Sequence, residues 1–197
     1  GDNEEIEIAD LLNKMSAQYK KLKINVTVGT FVPKPFTPFE TLQQMEYSIA
    51  REKVQWLKNQ FYQNRRISIK YQSPEISEIE GFLSRGDERF SGVLKIMHEK
   101  GARFDAWTEF FHFDNWMDAI RQMKIERNEI LGNISKTPWQ GIQVFIKESF
   151  LTEDLEKATQ QKLTEDCRIK CSNCGICVDD IRHVNSWSED FSIPIGE

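Results

Sequence analysis

The sequence predicts a mixed helix–strand protein, α/β grading into α+β, that ends in a cysteine-bearing tail. Three observations predict it. Apolar residues recur every three or four positions through several segments, the mark of amphipathic helices. Two short runs, residues 24–31 and 67–71, alternate apolar with polar side chains, the mark of strands. All 4 cysteines of the chain lie between Cys167 and Cys177.

The elements follow in order. Residues 4–21 read as a helix with Ile8, Leu12, Met15 and Tyr19 on its apolar side. Residues 24–31 set Ile24, Val26 and Val28 against Asn25 and Thr27, a strand. Phe31 to Phe39 holds Pro33, Pro35 and Pro38, which forbid both helix and ladder and predict a stiff extended loop. Thr37, Pro38 and Glu40 have the pattern of a helix start with a capping box, so a helix is expected from Pro38 to about Tyr62. The second strand is Ile67–Tyr71. A helix starts at Ser73-Pro74-Glu75, with Ile76, Ile79 and Leu83 on its apolar side, and Gly86 interrupts it. A further helix, about Glu88 to Lys100, stops at Gly101, a natural left-handed cap. Residues 114–123 carry Trp116, Ala119, Ile120 and Met123 at helical spacing. The stretch 124–142, with Gly132, Pro138 and Gly141, is expected to be irregular. A last helix is expected from Ile146 to Gln161, before a tail with little periodicity.

Composition narrows the function classes. With 39% apolar and 29% charged residues, a soluble chain with one core, or a core plus a satellite, is expected. A net charge of -5 argues against general nucleic-acid affinity. No apolar run approaches the roughly 20 residues that span a bilayer. The acidic opening, Gly1 to Glu5, does not have the character of a signal peptide. A cytoplasmic location is therefore expected, where thiols stay reduced and cysteine clusters serve metals rather than disulfides. The chain opens without methionine, which suggests a piece of a longer polypeptide.

Cys167, Cys171, Cys174 and Cys177 have the spacing C-x3-C-x2-C-x2-C. Two-residue gaps let the backbone turn tightly enough to bring thiolates onto one metal or cluster. Gly175 can supply a positive φ in that turn. Arg168 and Lys170 stand beside the thiols, where their charge would favour thiolate. The run suits a [4Fe–4S] cluster, with Zn²⁺ as the alternative, against reduced structural cysteines or a redox dithiol. Cys167, Cys171 and Cys174 also spell the C-x3-C-x2-C of radical S-adenosylmethionine (SAM) enzymes. A self-contained radical SAM core starting there is excluded, because too few residues follow to build a barrel.

Other residues are candidate sites. Arg85 or Arg89, around Gly86-Asp87, suits helix termination or an anion grip. Asp105 and Glu109, among Phe104 and Trp107, suit capping, pairing with Arg103, or acid–base work. His98, His112 and His183 have no metal-ligand spacing, although His183 could replace a thiolate. Phe110, Phe111, Phe113 and Trp116 suit a core before a base-stacking surface. No G-x-G-x-x-G, Walker A or G-x-S-x-G pattern occurs.

Several stretches, in order, resemble the C-terminal part of an uncharacterised group of cobalamin-binding-domain radical SAM proteins. Gly1 to Glu5 is similar to the end of the G-E-T-x-E-D turn after the fifth barrel strand. Val26 to Phe31 and Val32 to Phe39 are similar to the sixth strand and its loop. Glu80 to Asp87, Gly101 to Glu109, Thr137-Pro-Trp139 and Thr164 to Cys177 continue the match. The resemblance implies three parts. Residues 1–63 would be the last helix and strand of a partial (β/α) radical SAM barrel, residues 64–163 a small α+β accessory module, and residues 164–197 the four-cysteine tail. It implies SAM and cobalamin in the intact protein, an unknown substrate, and as partner the missing N-terminal part of the same polypeptide. Pro33, Lys34 and Pro35, in the barrel-end loop, become candidate cofactor-binding residues, since loops at strand C-termini carry function in such barrels. The chain alone would not cleave SAM. A zinc-knuckle module for a protein or RNA partner is the competing expectation.

Overall fold

The computed structural model describes residues 3–142 and 144–176. Its elements run α1 (Glu4–Gln18), β1 (Ile24–Val28), α2 (Tyr47–Phe61), β2 (Ile67–Tyr71), α3 (Pro74–Arg85), α4 (Phe90–Glu99), α5 (Phe113–Gln122), α6 (Arg127–Leu131), a 3-10 turn (Pro138–Gly141) and α7 (Glu148–Thr159).

The first half is a β–α–β unit. β1 and β2 pair in parallel, Ile24 opposite Ile67 through Val28 opposite Tyr71. A parallel pair needs a crossover, and α2 is that crossover. Alternation places Ile24, Val26, Val28, Ile67 and Ile69 against Ala9 and Leu12 of α1 and Leu57 and Phe61 of α2. The opposite face carries the exposed pairs Asn25–Ser68 and Thr27–Lys70. Glu4, Glu5 and Glu7 place negative charge at the positive end of α1. At its other end Arg66 donates to the carbonyls of Ser16 and Lys20, both at 3.0 Å, and to Ser16 Oγ at 2.7 Å. The residue preceding β2 thus caps the helix preceding β1. Hydrogen bonds of the sheet join residues 24–28 to 67–71, so the two strands form one unit on either side of position 63.

The second half is helical. α3, α4, α5 and α6 enclose Ile79, Phe82, Phe90, Val93, Met97, Trp116, Ala119, Ile120, Ile130 and Leu131. Gly101, at φ 85°, ends α4, and the Ala102 N–H returns to the Met97 carbonyl at 3.0 Å, as a left-handed cap requires.

An extended strap, residues 41–46, ties the halves together. Gln44 N–H donates to Leu131 O (2.8 Å), and Ile134 N–H donates to Thr41 O (3.0 Å). The fully buried Arg85 donates to Leu42 O at 2.8 Å and to Gly132 O at 2.9 Å. Arg127 donates to the carbonyls of Gln44 and Met45 and pairs with the buried Glu78 at 2.5 Å.

Some expectations need correction. The helix expected from Pro38 begins at Tyr47. Its capping groups serve a loop instead. The Glu40 carboxylate accepts from Phe36 N–H at 2.6 Å, and the Thr37 hydroxyl donates to Lys34 O at 2.7 Å. The first strand stops at Val28, where its partner strand ends. On α1 the buried residues are Ala9, Leu12 and Ser16, while Met15 and Tyr19 are exposed. The stretch expected to be irregular contains α6 and the 3-10 turn. Among the described residues no helix is long and apolar enough to cross a membrane.

Candidate metal centre

The described part of the tail contains two turns. In the first, Ile169 N–H and Lys170 N–H both return to Asp166 O, at 2.9 and 3.1 Å, and Cys167 stands exposed between them. Arg168 grips the Asp166 carboxylate, Nη2 to Oδ2 at 2.5 Å, and holds its pKa down to about 2. The second turn, Cys171 to Gly175, is a knuckle. Asn173 adopts φ 57° and Gly175 φ 93°, and between them they fold the chain back. That fold aims the Asn173 N–H at Cys171 Sγ, 3.4 Å away. Hydrogen bonds to cysteine sulfur are among the levers by which a protein tunes a bound cluster. Cys171 is exposed and Cys174 half-buried, and both are free thiols.

The knuckle is docked on the segment before α7. Lys147 N–H donates to Cys174 O at 2.8 Å. Lys147 Nζ donates to Asn173 Oδ1 at 2.7 Å. An ideal Cβ on Gly175 would stand 2.5 Å from the Phe145 carbonyl oxygen, so glycine is required both by φ and by space.

The cations beside the thiols are differently engaged than the spacing suggests. Arg168 is bound to Asp166, and Lys170 approaches Glu165 at 3.8 Å. The lysine at the knuckle is Lys147, 26 positions from Asn173. Nothing in the local sequence marks it. Among the described residues no three His, Cys, Asp or Glu side chains converge to hold a metal ion. Cys171 and Cys174 share the knuckle, Cys167 lies on the separate turn before it, and Cys177 and His183 lie outside the described residues. The donor chemistry and the N–H on sulfur fit a thiolate-bound metal or cluster. Cys167, Cys171, Cys174 and Cys177 are the residues that would hold it.

The proline loop points elsewhere. Pro33 is fully buried. Lys34 Nζ donates to Glu80 Oε1 at 2.5 Å and to Ser84 Oγ at 2.8 Å, both on α3. Trp139 Nε1 covers the same turn through Ser84 O at 2.6 Å. A cavity of about 780 Å³ opens at the C-terminal end of β1, and its wall is formed by Gly29, Thr30 and Phe31 rather than Pro33, Lys34 or Pro35. Across it lie Ile8 and Leu11 of α1 and the Lys53–Glu5 ion pair. Thr30 Oγ1 is buried there without a hydrogen-bond partner among the described residues.

Several of the remaining candidates are engaged in packing or pairing. Arg85 is consumed by the strap. Arg89 binds Asp87 and Glu129, which raise its pKa above the ordinary arginine value. Asp105 accepts the Trp116 Nε1 hydrogen at 2.8 Å. His98 contacts Arg103, and His112 precedes α5. Phe111 and Phe113 pack on the helical core, while Phe104, Trp107 and Phe110 are exposed.

No family matches this chain, and no curated protein or solved structure matches it.

Proposed function

We propose that the chain is the C-terminal part of a cytoplasmic radical SAM protein with a cobalamin-binding domain, and that its cysteine tail holds an auxiliary [4Fe–4S] cluster. The observation that carries the metal reading is the Asn173 N–H on Cys171 Sγ within a left-handed knuckle. Asn enters the left-handed region more readily than most residues, so Asn173 suits the turn that presents its N–H to the sulfur. Two features support the barrel reading. Parallel strands joined by a helix are the repeating unit of such barrels. The cavity at the C-terminal end of β1 lies where barrel enzymes keep their sites.

In this reading the rest of the polypeptide supplies cobalamin binding, most of the SAM site and the catalytic C-x3-C-x2-C. When bound, the auxiliary cluster would supply a redox centre or a structural clip. The residues of this chain do the holding. Cys167, Cys171, Cys174 and Cys177 offer thiolates, the Asn173 amide steadies one of them, and Gly175 permits the turn. The chain alone is expected not to cleave SAM.

The test is iron, sulfide and zinc analysis of anaerobically purified protein, with its visible spectrum. About four irons and four sulfides per chain, in brown protein, is the expected result. One colourless zinc would favour the second reading, a zinc knuckle for a protein or RNA partner, which the two-cysteine turn itself suits. Protein free of all three would overturn both.

A further inference from the structure

We propose that Phe145–Lys147 forms the second half of the cysteine site, with Lys147 a positioning residue, so that a metal held by the knuckle fixes the start of α7. The proposal rests on the metal reading above. Its basis is the Lys147 peptide, which faces both ways. Its N–H is given to Cys174 O at 2.8 Å, and its carbonyl accepts the N–H groups of Phe150 and Leu151 at 3.1 and 3.3 Å. The first turn of α7 is therefore one peptide away from a cysteine.

Three further contacts close the joint. Lys147 Nζ binds Asn173 Oδ1, the side chain of the residue whose N–H points at Cys171 Sγ. Gly175 lies on Phe145 O with no space for a methyl group. Phe145 holds φ 60°, a conformation that a bulky residue adopts only when its surroundings impose it. By contrast, α7 carries no buried side chain among the described residues, so packing gives it little hold of its own. Charge points the same way. A tetrathiolate around a divalent ion keeps a net charge of about -2. Arg168 and Lys170 are directed to Asp166 and Glu165, which leaves Lys147 as the ammonium joined to the knuckle. Partners outside the ligand set orient ligands and tune affinity.

The probe is cobalt(II), read by its thiolate charge-transfer band, with zinc affinity measured by competition. Hydrogen exchange of α7 is followed with and without zinc. Zinc is expected to slow exchange at Phe150 and Leu151 by about tenfold or more, a local rather than global effect. Lys147→Met should weaken zinc binding by about tenfold, with Lys147→Arg partly restoring it and Lys162→Met leaving it unchanged. If zinc binds but α7 exchange is unaltered and Lys147→Met binds as tightly as the parent, the joint is refuted while the metal reading stands. If the parent takes up neither cobalt nor zinc, and neither iron nor sulfide on anaerobic reconstitution, the metal reading and the joint fall together. The exchange comparison uses the unaltered chain, so it holds even should a variant fail to fold.

Discussion

Glu78 and Arg127 show how a single residue can be misjudged from sequence. Apolar spacing along residues 74–85 selects Ile76, Ile79 and Leu83; Ile79 is buried, but α3 also buries Ser77, Glu78, Phe82 and Arg85, while Leu83 is exposed. Glu78 is inside because Arg127, 49 positions away, pairs with it. No local pattern announces a partner at that distance. Removing the partner would strand a carboxylate in the interior, which costs more than the pair itself contributes. Arg127→Met is expected to lower stability by about 3 kcal/mol in urea denaturation. The double variant Arg127→Met with Glu78→Met should recover much of that loss; equal or greater loss would count against the buried-charge account. Asp87 offers a pH signal of the same scale. Hydrogen bonds from Arg89 hold its carboxyl below the ordinary value of 3.8. A depressed folded-state pKa contributes stability that is complete above that ordinary value and is lost as pH falls through the lower one. Stability should thus decline below about pH 4, and Asp87→Asn should make the decline shallower. An unchanged acid limb in the variant would exclude Asp87 as a source.

At the scale of elements, most helices and both strands were legible, because each has its own periodicity. The start of α2 was not. Thr37-Pro38-Phe39-Glu40 carries every group of a helix N-terminus, but those groups are spent on Lys34 O and Phe36 N–H. What decides is the strap that follows, pinned from residues 85, 127 and 131–134, which keeps 41–46 extended until Tyr47. The knuckle was legible in its cysteines and glycine, and illegible in Lys147, whose role comes from tertiary folding alone. α3 has a comparable close approach. A Cβ added at Gly81 would meet the side-chain amide of Gln44, itself buried and bound to Ser77 O at 2.9 Å. Helix propensity favours alanine over glycine by about 1 kcal/mol. Overpacking of the strap should reverse that sign, so Gly81→Ala is expected to destabilise by about 1–2 kcal/mol. Combined with Gln44→Ala the same change should become neutral or stabilising relative to Gln44→Ala alone. A stabilising Gly81→Ala by itself would show that Gln44 gives way freely.

The described residues form two cores on one strap. One core lies between α1, α2 and the sheet, the other among α3 to α6. Arg85 joins them by donating to Leu42 on one side and Gly132 on the other, from a side chain only 1% exposed. Unfolding of the parent chain is expected to be a single transition by both tryptophan fluorescence and far-ultraviolet circular dichroism. Arg85→Met should weaken the link and draw the two signals apart, with the β–α–β unit melting first, since a two-stranded sheet is marginal alone. Coincident transitions in that variant would mean that the coupling does not depend on Arg85. The mixture of helices and strands was legible at this scale; the coupling was not, because it rests on contacts between segments far apart in sequence.

The strap also carries a consequence in time. Gln43 is tied to Asn133 across 90 positions, and Gln44 to Arg127 across 83. At a synthesis rate of about 5–20 residues per second, the β–α–β unit, complete at Tyr71, is finished roughly 3–12 s before its last anchors, Arg127 and Asn133, exist. During that interval Ser77 and Arg85 can already engage Gln44 and Leu42, while the Leu131 carbonyl and the Arg127 guanidinium are still to come. The first half of this protein waits for the second, and its native shape is sealed from behind.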